Sequence, residues 1–550
     1  MLSIEPELFM YLVLLFLFTF FCHGLLLIND GIYWDGWMIT SWQKKKRWEL
    51  MNQFFSEVGM PILYYQHKYF SFLPKAKYFY NLLAFFSLFI SSAIIFLIGI
   101  KFVALPTSVA FIIALLMVCY PGQQMGVERV ISMQYFMPTA LFYLACFFSL
   151  ESVMTNSEYA VFFHILAIVL FLLCFNMNSL LIYYWGFIVF FALFTIQNFS
   201  IGQLGIFILG YIEYCILPFI YWIFKETLSP RHGNYSNYNK IIPSGESNPL
   251  DTQRIKRTMH YFSYLIILSL KNGVNGVYIQ SVSLLFKKYV LFLFAVIITL
   301  FGLFFIWSND VTYNITSFQG GLIFSFGILL LILVGIPYIL IGQPFGLRGW
   351  ATKNNVLLGL PLSLIIFGLF SVFFPPKYVI SLIFIIIVSN IVYLNYIYLS
   401  WIALWVKYCS TLLNLQKNMS LKRFSIFRVY DNHSVKGSFD IHPEHDVVYL
   451  IYMFDSIWED KLRLGIYEKK FSLEPYSQER IRDIIKNTTI DYALKEIDPE
   501  GKQAIIVITD GTQMFTEVKS AMRYIYYKFF QTVGLNHFLL NYSNIEVIEI

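Results

Sequence analysis

Eleven stretches of this 550-residue chain are apolar enough to enter a bilayer, and most are long enough to cross its ~30 Å hydrocarbon core. They fall near 9–28, 79–100, 103–120, 135–150, 159–175, 179–195, 205–224, 288–307, 321–341, 355–374 and 378–400. Within hydrocarbon a single segment satisfies its own backbone groups only as a helix, so this pattern excludes most folds at once. The runs 135–150 and 159–175 are short for a full crossing. Glu5 and Glu7 precede the first run and Asn29-Asp30-Gly31 follows it. With no basic n-region and no small-residue cleavage site, it reads as a retained span rather than a signal peptide.

Charge divides the chain in two. Only 13% of residues are charged and 58% are hydrophobic, where soluble domains carry ~25% charged residues. A purely soluble enzyme, a disordered chain, a fibrous repeat and a nucleic-acid binder built on a basic surface are all excluded. Up to residue 400 there are 21 Lys+Arg and 14 Asp+Glu; the last 150 residues hold 18 and 19. The expected fold is therefore mostly α. A polytopic membrane helical domain of about eleven spans (1–415), with interfacial helices, precedes a C-terminal soluble α/β domain (416–550). In that tail, 425–430, 447–454, 504–509 and 545–550 read as strands, and 478–486 and 513–530 as helices. The six cysteines lie in or beside apolar runs and form no CxxC, as buried free thiols do.

An odd number of spans places the long polar segments on one face: 29–78, 121–134, 176–178, 225–287, 342–354 and the tail. The other face receives short turns. The segment 225–287 opens polar and then becomes amphipathic over 259–270 and 276–286, the pattern of two interfacial helices. Lys44, Lys45, Lys46, Arg47, Lys75, Lys77, Lys287 and Lys288 crowd the polar face. The positive-inside rule would make it cytoplasmic, although long loops translocate largely regardless of charge.

Four constellations on that face bear chemistry. The first is Asn29-Asp30-Gly31-Ile32-Tyr33-Trp34-Asp35-Gly36-Trp37, where Asp30 and Asp35 sit among aromatics at a membrane surface. A carboxylate there can act as a general base or ligate a divalent ion that bridges phosphates, and Tyr33, Trp34 and Trp37 offer faces for sugar rings. An interfacial aromatic belt with Asp capping a helix is the plainer reading. The second holds Glu128 and Arg129, a local ion pair or a phosphate contact. The third holds Arg348 and Lys353, positioned for a pyrophosphate or an anionic headgroup, or simply as topology charges. The fourth runs from Arg231 and His232 to Tyr238, a polar loop rich in groups that bond hydroxyls. His67 and His164 read as packed histidines. The acidic and histidine cluster at 440–446 matches no zinc spacing.

This layout resembles the GT-C fold of polytopic glycosyltransferases. Asn29-Asp30-Gly31 and Asp35-Gly36-Trp37 occupy the place of that family's early acidic loop. Pro230 to Lys240 looks like its long polar loop, and Arg348 to Asn355 like its late basic loop. No Asp-x-Asp or Asp-Asp pair is present, so the resemblance does not choose between Asp30 and Asp35. The resemblance implies an integral multi-pass protein of an inner or plasma membrane whose polar face and C-terminal domain are extracytoplasmic. It implies transfer of a sugar (hexosyl or pentosyl) from a polyprenyl-phosphate donor to an envelope glycan or lipid acceptor. The partners implied are that lipid-linked donor, the acceptor and membrane lipids, with no nucleic acid. Arg129, Arg348 or Lys353 would hold phosphate, and Asp30 or Asp35 would be the base. A divalent Mg or Mn ion can assist such chemistry, but nothing in the sequence demands one.

A transporter or flippase for a lipid-linked glycan or other amphiphile is the rival from another class. Its mark is polar groups inside broken spans, and Glu213 is the one clear case. A non-catalytic scaffold, with the tail as a partner-binding module, is the third reading.

Overall fold

A computed structural model describes 6–73, 76–154, 159–196, 200–236, 315–341, 349–435 and most of 443–550, with fragments of 263–300. The chain is mostly helical, and six of its described helices are long and apolar enough to cross a membrane. A further pair, Ile201–Gly210 and Ile212–Leu228, passes that test together but is bent by 62°.

The first span is α1 (Pro6–Ile28). Three short helices follow in the first polar loop: α2 (Asp35–Lys44), α3 (Trp48–Glu57) and α4 (Pro61–Ser71). Next come α5 (Ala76–Lys101), α6 (Thr107–Val118) and, after a tight turn and a π-type segment, α7 (Met137–Met154). Helices α8 (Tyr159–Cys174) and α9 (Ser179–Thr195) lead to the bent pair α10 (Ile201–Gly210) and α11 (Ile212–Leu228). Helix α12 (Val277–Leu285) belongs to the second expected interfacial helix; it buries Val277 and Ser281 and exposes Ile279 and Val282. The expected helix over 259–270 and the span over 288–307 lie largely outside the described residues. Helices α13 (Ser317–Leu340), α14 (Gly359–Phe373) and α15 (Pro376–Lys417) complete the bundle. A capping box starts α13: Gln319 N donates to Thr316 Oγ1 (3.2 Å) and Thr316 N to Gln319 Oε1 (3.0 Å).

Each of the ten expected apolar runs outside 288–307 coincides with a helix or the bent pair. Three of them, α6, α8 and α9, have 12, 16 and 17 residues. At 1.5 Å per residue these fall short of a full crossing.

Helix α15 overruns its expected end. Its 42 residues extend ~63 Å, about twice the hydrocarbon thickness. No Gly or Pro interrupts the run from Lys377 to Lys417, so nothing in the sequence stops it. The overhang is the post on which the tail is built. Trp405 donates to Tyr524 Oη (3.2 Å), Ser543 N to Ser410 Oγ (2.9 Å), and Asn414 Nδ2 to the carbonyls of Leu540 and Ser543. Lys407 pairs with Asp431.

The tail contains β1 (Ile426–Asp431), α16 (Pro443–Asp455), β2 (Leu464–Tyr467), α17 (Gln478–Lys486), β3 (Gln503–Asp510), α18 (Glu517–Phe530), α19 (Thr532–Leu540) and β4 (Ser543–Glu549). The sheet order is β2-β1-β3-β4, with β1 parallel to both neighbours and β4 antiparallel to β3. The expected strand 447–454 is instead the crossover helix α16. A continuous apolar run does not distinguish a buried strand from a buried helix, and the parallel β1–β2 pair requires a crossover. Leu450, Ile451 and Phe454 are buried. Strand β2 is four residues long and was not legible. Its Gly465 passes so close to α16 that a Cβ there would lie 2.6 Å from Leu450 Cβ.

Candidate functional site

The polar face gathers where α1 ends. The chain turns at Asn29, whose Oδ1 accepts from Gly31 N (2.9 Å) and Tyr33 Oη (3.1 Å). Trp34 then takes φ +38°, a left-handed conformation that a bulky residue adopts only under constraint. The constraint is its ring, held edge-on against Trp401 of α15 (4.9 Å, 83°). This turn sets Asp35 as the first residue of α2.

Glu128 meets this point from the other side. Its Oε2 accepts from Ile131 N (2.7 Å), capping the turn that leads into α7. Its Oε1 is buried and has no hydrogen-bond partner among the described residues. Gly36 permits the approach, since a Cβ there would lie 3.3 Å from Glu128 Oε1 and 3.9 Å from Arg129 Cδ. Burial, and secondly the Asp35 charge, push the Glu128 carboxyl up to about 8. Two neighbouring carboxylates thus differ: Glu128 retains a proton at neutral pH in a setting where Asp35 is half-buried. Arg129 donates to Thr40 on α2 and lies over the Tyr80 ring (5.7 Å). His67 Nδ1 shares a hydrogen bond with Tyr80 Oη (2.9 Å), and its ring stacks on Phe55. Burial first, and Arg129 second, lower His67 to about 3, so it stays neutral.

The late basic turn joins the same wall. Gly349–Leu358 packs against Gln124–Val127, and Lys353 is buried there. Arg348 and Tyr238 lie outside the described residues. Arg231 and His232 go elsewhere: His232 N donates to Glu57 O (3.2 Å), and Arg231 lies against Gly59 at the end of α3.

The first constellation divides. Asp30 faces the tail, where Lys528 Nζ pairs with its Oδ1 (3.2 Å) and Tyr524 Oη donates to it (2.9 Å). Tyr33 and Trp37 are 2% exposed, packed against Trp401 and Trp405. That burial makes them an anchor for α15 and leaves neither ring face open in this structure. Trp34 is half-buried in the same cluster. Sequence reasoning missed Thr40, Tyr80, Tyr524 and Lys528; Tyr524 is 494 positions from Asp30, and no local pattern announces such a contact.

A divalent ion would find two carboxylates here, Asp35 and Glu128, one of them protonated. Among the described residues no three His, Cys, Asp or Glu side chains gather, and a Mg ion held here would need donors from substrate phosphate and water besides these two groups.

An apolar cavity of about 650 Å³ lies deeper in the bundle, lined by α5, α6, α7, α9, α13 and α14. Ile95, Ile98, Cys146, Tyr183 and Leu330 form part of its wall, and the exposed Val103, Leu193 and Leu322 its rim. Helix α5 strings the features in order: Tyr80 beside Arg129, then a small void at Ser87 and Ser91, then the cavity at Ile95 to Gly99. From Tyr80 to Ile98 is ~27 Å along the helix.

No family model and no curated protein sequence matches the chain.

Proposed function

We propose that the protein is an integral-membrane glycosyltransferase that moves a sugar from a polyprenyl-phosphate donor to a glycan or lipid acceptor. The observation that supports this reading is the meeting of Asp35, Glu128 and Arg129 just beyond the first span, with a separate apolar cavity farther along α5. A charged head and a long apolar chain are what such a donor presents. Asp35 takes the proton of the acceptor hydroxyl, whose oxygen attacks the anomeric carbon with inversion. The sugar–phosphate bond breaks, and the polyprenyl phosphate leaves with the electron pair. Glu128, held neutral by burial, places no second negative charge beside Asp35. Arg129 and Lys353, with Arg348 just ahead of the same turn, supply the positive charge that holds phosphate. The polar face and tail are extracytoplasmic in this reading, on the membrane of the cell envelope.

Transport, the rival reading, would start from the polar pair beside the bent span. Glu213, just after the bend between α10 and α11, lies 3.5 Å from His164 of α8. Their side chains are about a third exposed (36% and 31%), and Ile212 and Ile216 beside Glu213 are exposed as well. This pair is therefore on the outer flank of the bundle rather than on a central path. Purified protein in vesicles, given a donor with a labelled sugar, discriminates the two. Label covalently bonded to acceptor supports transfer; label that changes leaflet still bonded to its polyprenyl phosphate supports transport.

A further inference from the structure

The C-terminal domain carries an apolar stripe that its own fold does not cover. Met522, Tyr526, Phe529, Phe530 and Val533 are 52–92% exposed. Their spacing of i, i+4, i+7, i+8 and i+11 puts the residues of α18 on one helical face, continued by Val533 at the start of α19. The opposite face of α18 buries Ala521 and Tyr524 against α15. Monomeric soluble surfaces rarely expose apolar side chains in such a contiguous row.

Lys528 fixes the height of this stripe. Its Nζ donates to the carbonyl of Ile28, the last residue of span α1 (2.9 Å). It pairs with Asp30, and it lies 5.9 Å over the ring of Tyr78, where the span Tyr78–Lys101 begins. The ammonium therefore sits at the level where two spans leave the bilayer. The Phe529 ring is 5.3 Å from the same Nζ, and Phe530 stacks on Tyr526 (5.9 Å, 29°). Aromatic rings beside a lysine at that depth have the chemistry of the headgroup–acyl boundary.

We propose that the stripe from Met522 to Val533 is a membrane-embedded edge. In this arrangement α18 lies in the interface and beds the C-terminal domain on the lipid surface around α1 and α5. The occupant is lipid rather than a second protein, because Lys528 holds this end of α18 at the exit points of two spans and Phe529 of the stripe lies beside its ammonium. The inference is independent of the reaction that the protein performs.

The test places the photoreactive residue p-benzoylphenylalanine at position 530 of the full chain, reconstituted in vesicles of phosphatidylcholine and phosphatidylglycerol. Irradiation and mass spectrometry then read the adduct. The expected result is crosslinking chiefly to lipid acyl chains. The same probe at Val533, 92% exposed, serves if the first variant does not fold. Adducts confined to a second copy of the chain, or absence of lipid adducts at both positions in folded protein, would overturn the proposal.

Discussion

The ammonium of Lys528, on the last helical turn of α18, lies 3.2 Å from the carboxylate of Asp30, two residues beyond the first span. The two side chains are 15% and 13% exposed. The soluble domain is thus clamped to the membrane part at its N-terminal end. One of the two carboxylates in the first constellation is engaged in that clamp.

Breaking the clamp from either side is expected to loosen the tail. Asp30→Asn and Lys528→Met each leave a partly buried group without its charge partner, a loss of ~2 kcal/mol. Limited proteolysis of the reconstituted protein should release the C-terminal domain faster in both variants. The double variant should be less than additive, because the two residues share one interaction. If transfer is the activity, Asp30→Asn retains most of it.

Trp401 is fully buried, and both Tyr33 and Trp34 pack against it, with the Tyr33 hydroxyl donating to the Trp401 carbonyl (2.7 Å). Trp401→Ala should cost ~3–5 kcal/mol and lower the melting temperature of the detergent-solubilised protein. It should also relax the backbone at Trp34 that sets Asp35, so activity is lost along with stability.

Glu128 makes stability depend on pH. In the unfolded chain its carboxyl ionises near 4.5, and in the folded protein near 8. Between these values the folded state binds a proton that the unfolded state does not, so stability falls as pH rises from about 4.5 through about 8. Glu128→Gln keeps the cap on Ile131 and removes the titration. Its melting temperature should therefore exceed that of the parent at pH 8 and approach it below pH 5. Equal pH dependence in both proteins would refute this role of Glu128.

The apolar cavity predicts a chain-length effect. Cys146→Phe adds bulk to its wall, so the variant should raise KM for a long-chain polyprenyl donor while leaving a short-chain analogue nearly unchanged. Parallel titrations of the two donors check this.

Legibility in the sequence followed the range of the physics. Span positions were readable because hydropathy is local. The extension of α15 past residue 400 was not, since Trp405 and Lys407 are held in the helix's overhang by Tyr524 and Asp431 of the folded tail. The strand β1 and the helix α17 fall where 425–430 and 478–486 were expected. The helix α16 was misread because its apolar run is buried on several sides, with Tyr452 against Trp42 of α2 and Asp455 holding Ser41 and Lys45. In the candidate site, Asp35, Glu128 and Arg129 were each visible as polar groups among apolar runs. Their meeting across Gly36 was not, because two loops some ninety residues apart come together only through packing of α1, α5 and α7.

Sugar transfer by the Asp35→Asn protein tests the central claim most directly. The substitution keeps the size of the side chain and removes the base. Measured in vesicles with a labelled polyprenyl-phosphate sugar and acceptor, against the parent and Asp30→Asn at equal folded protein, transfer should drop ~10²-fold or more in Asp35→Asn alone. Parent-level transfer by Asp35→Asn would contradict the account.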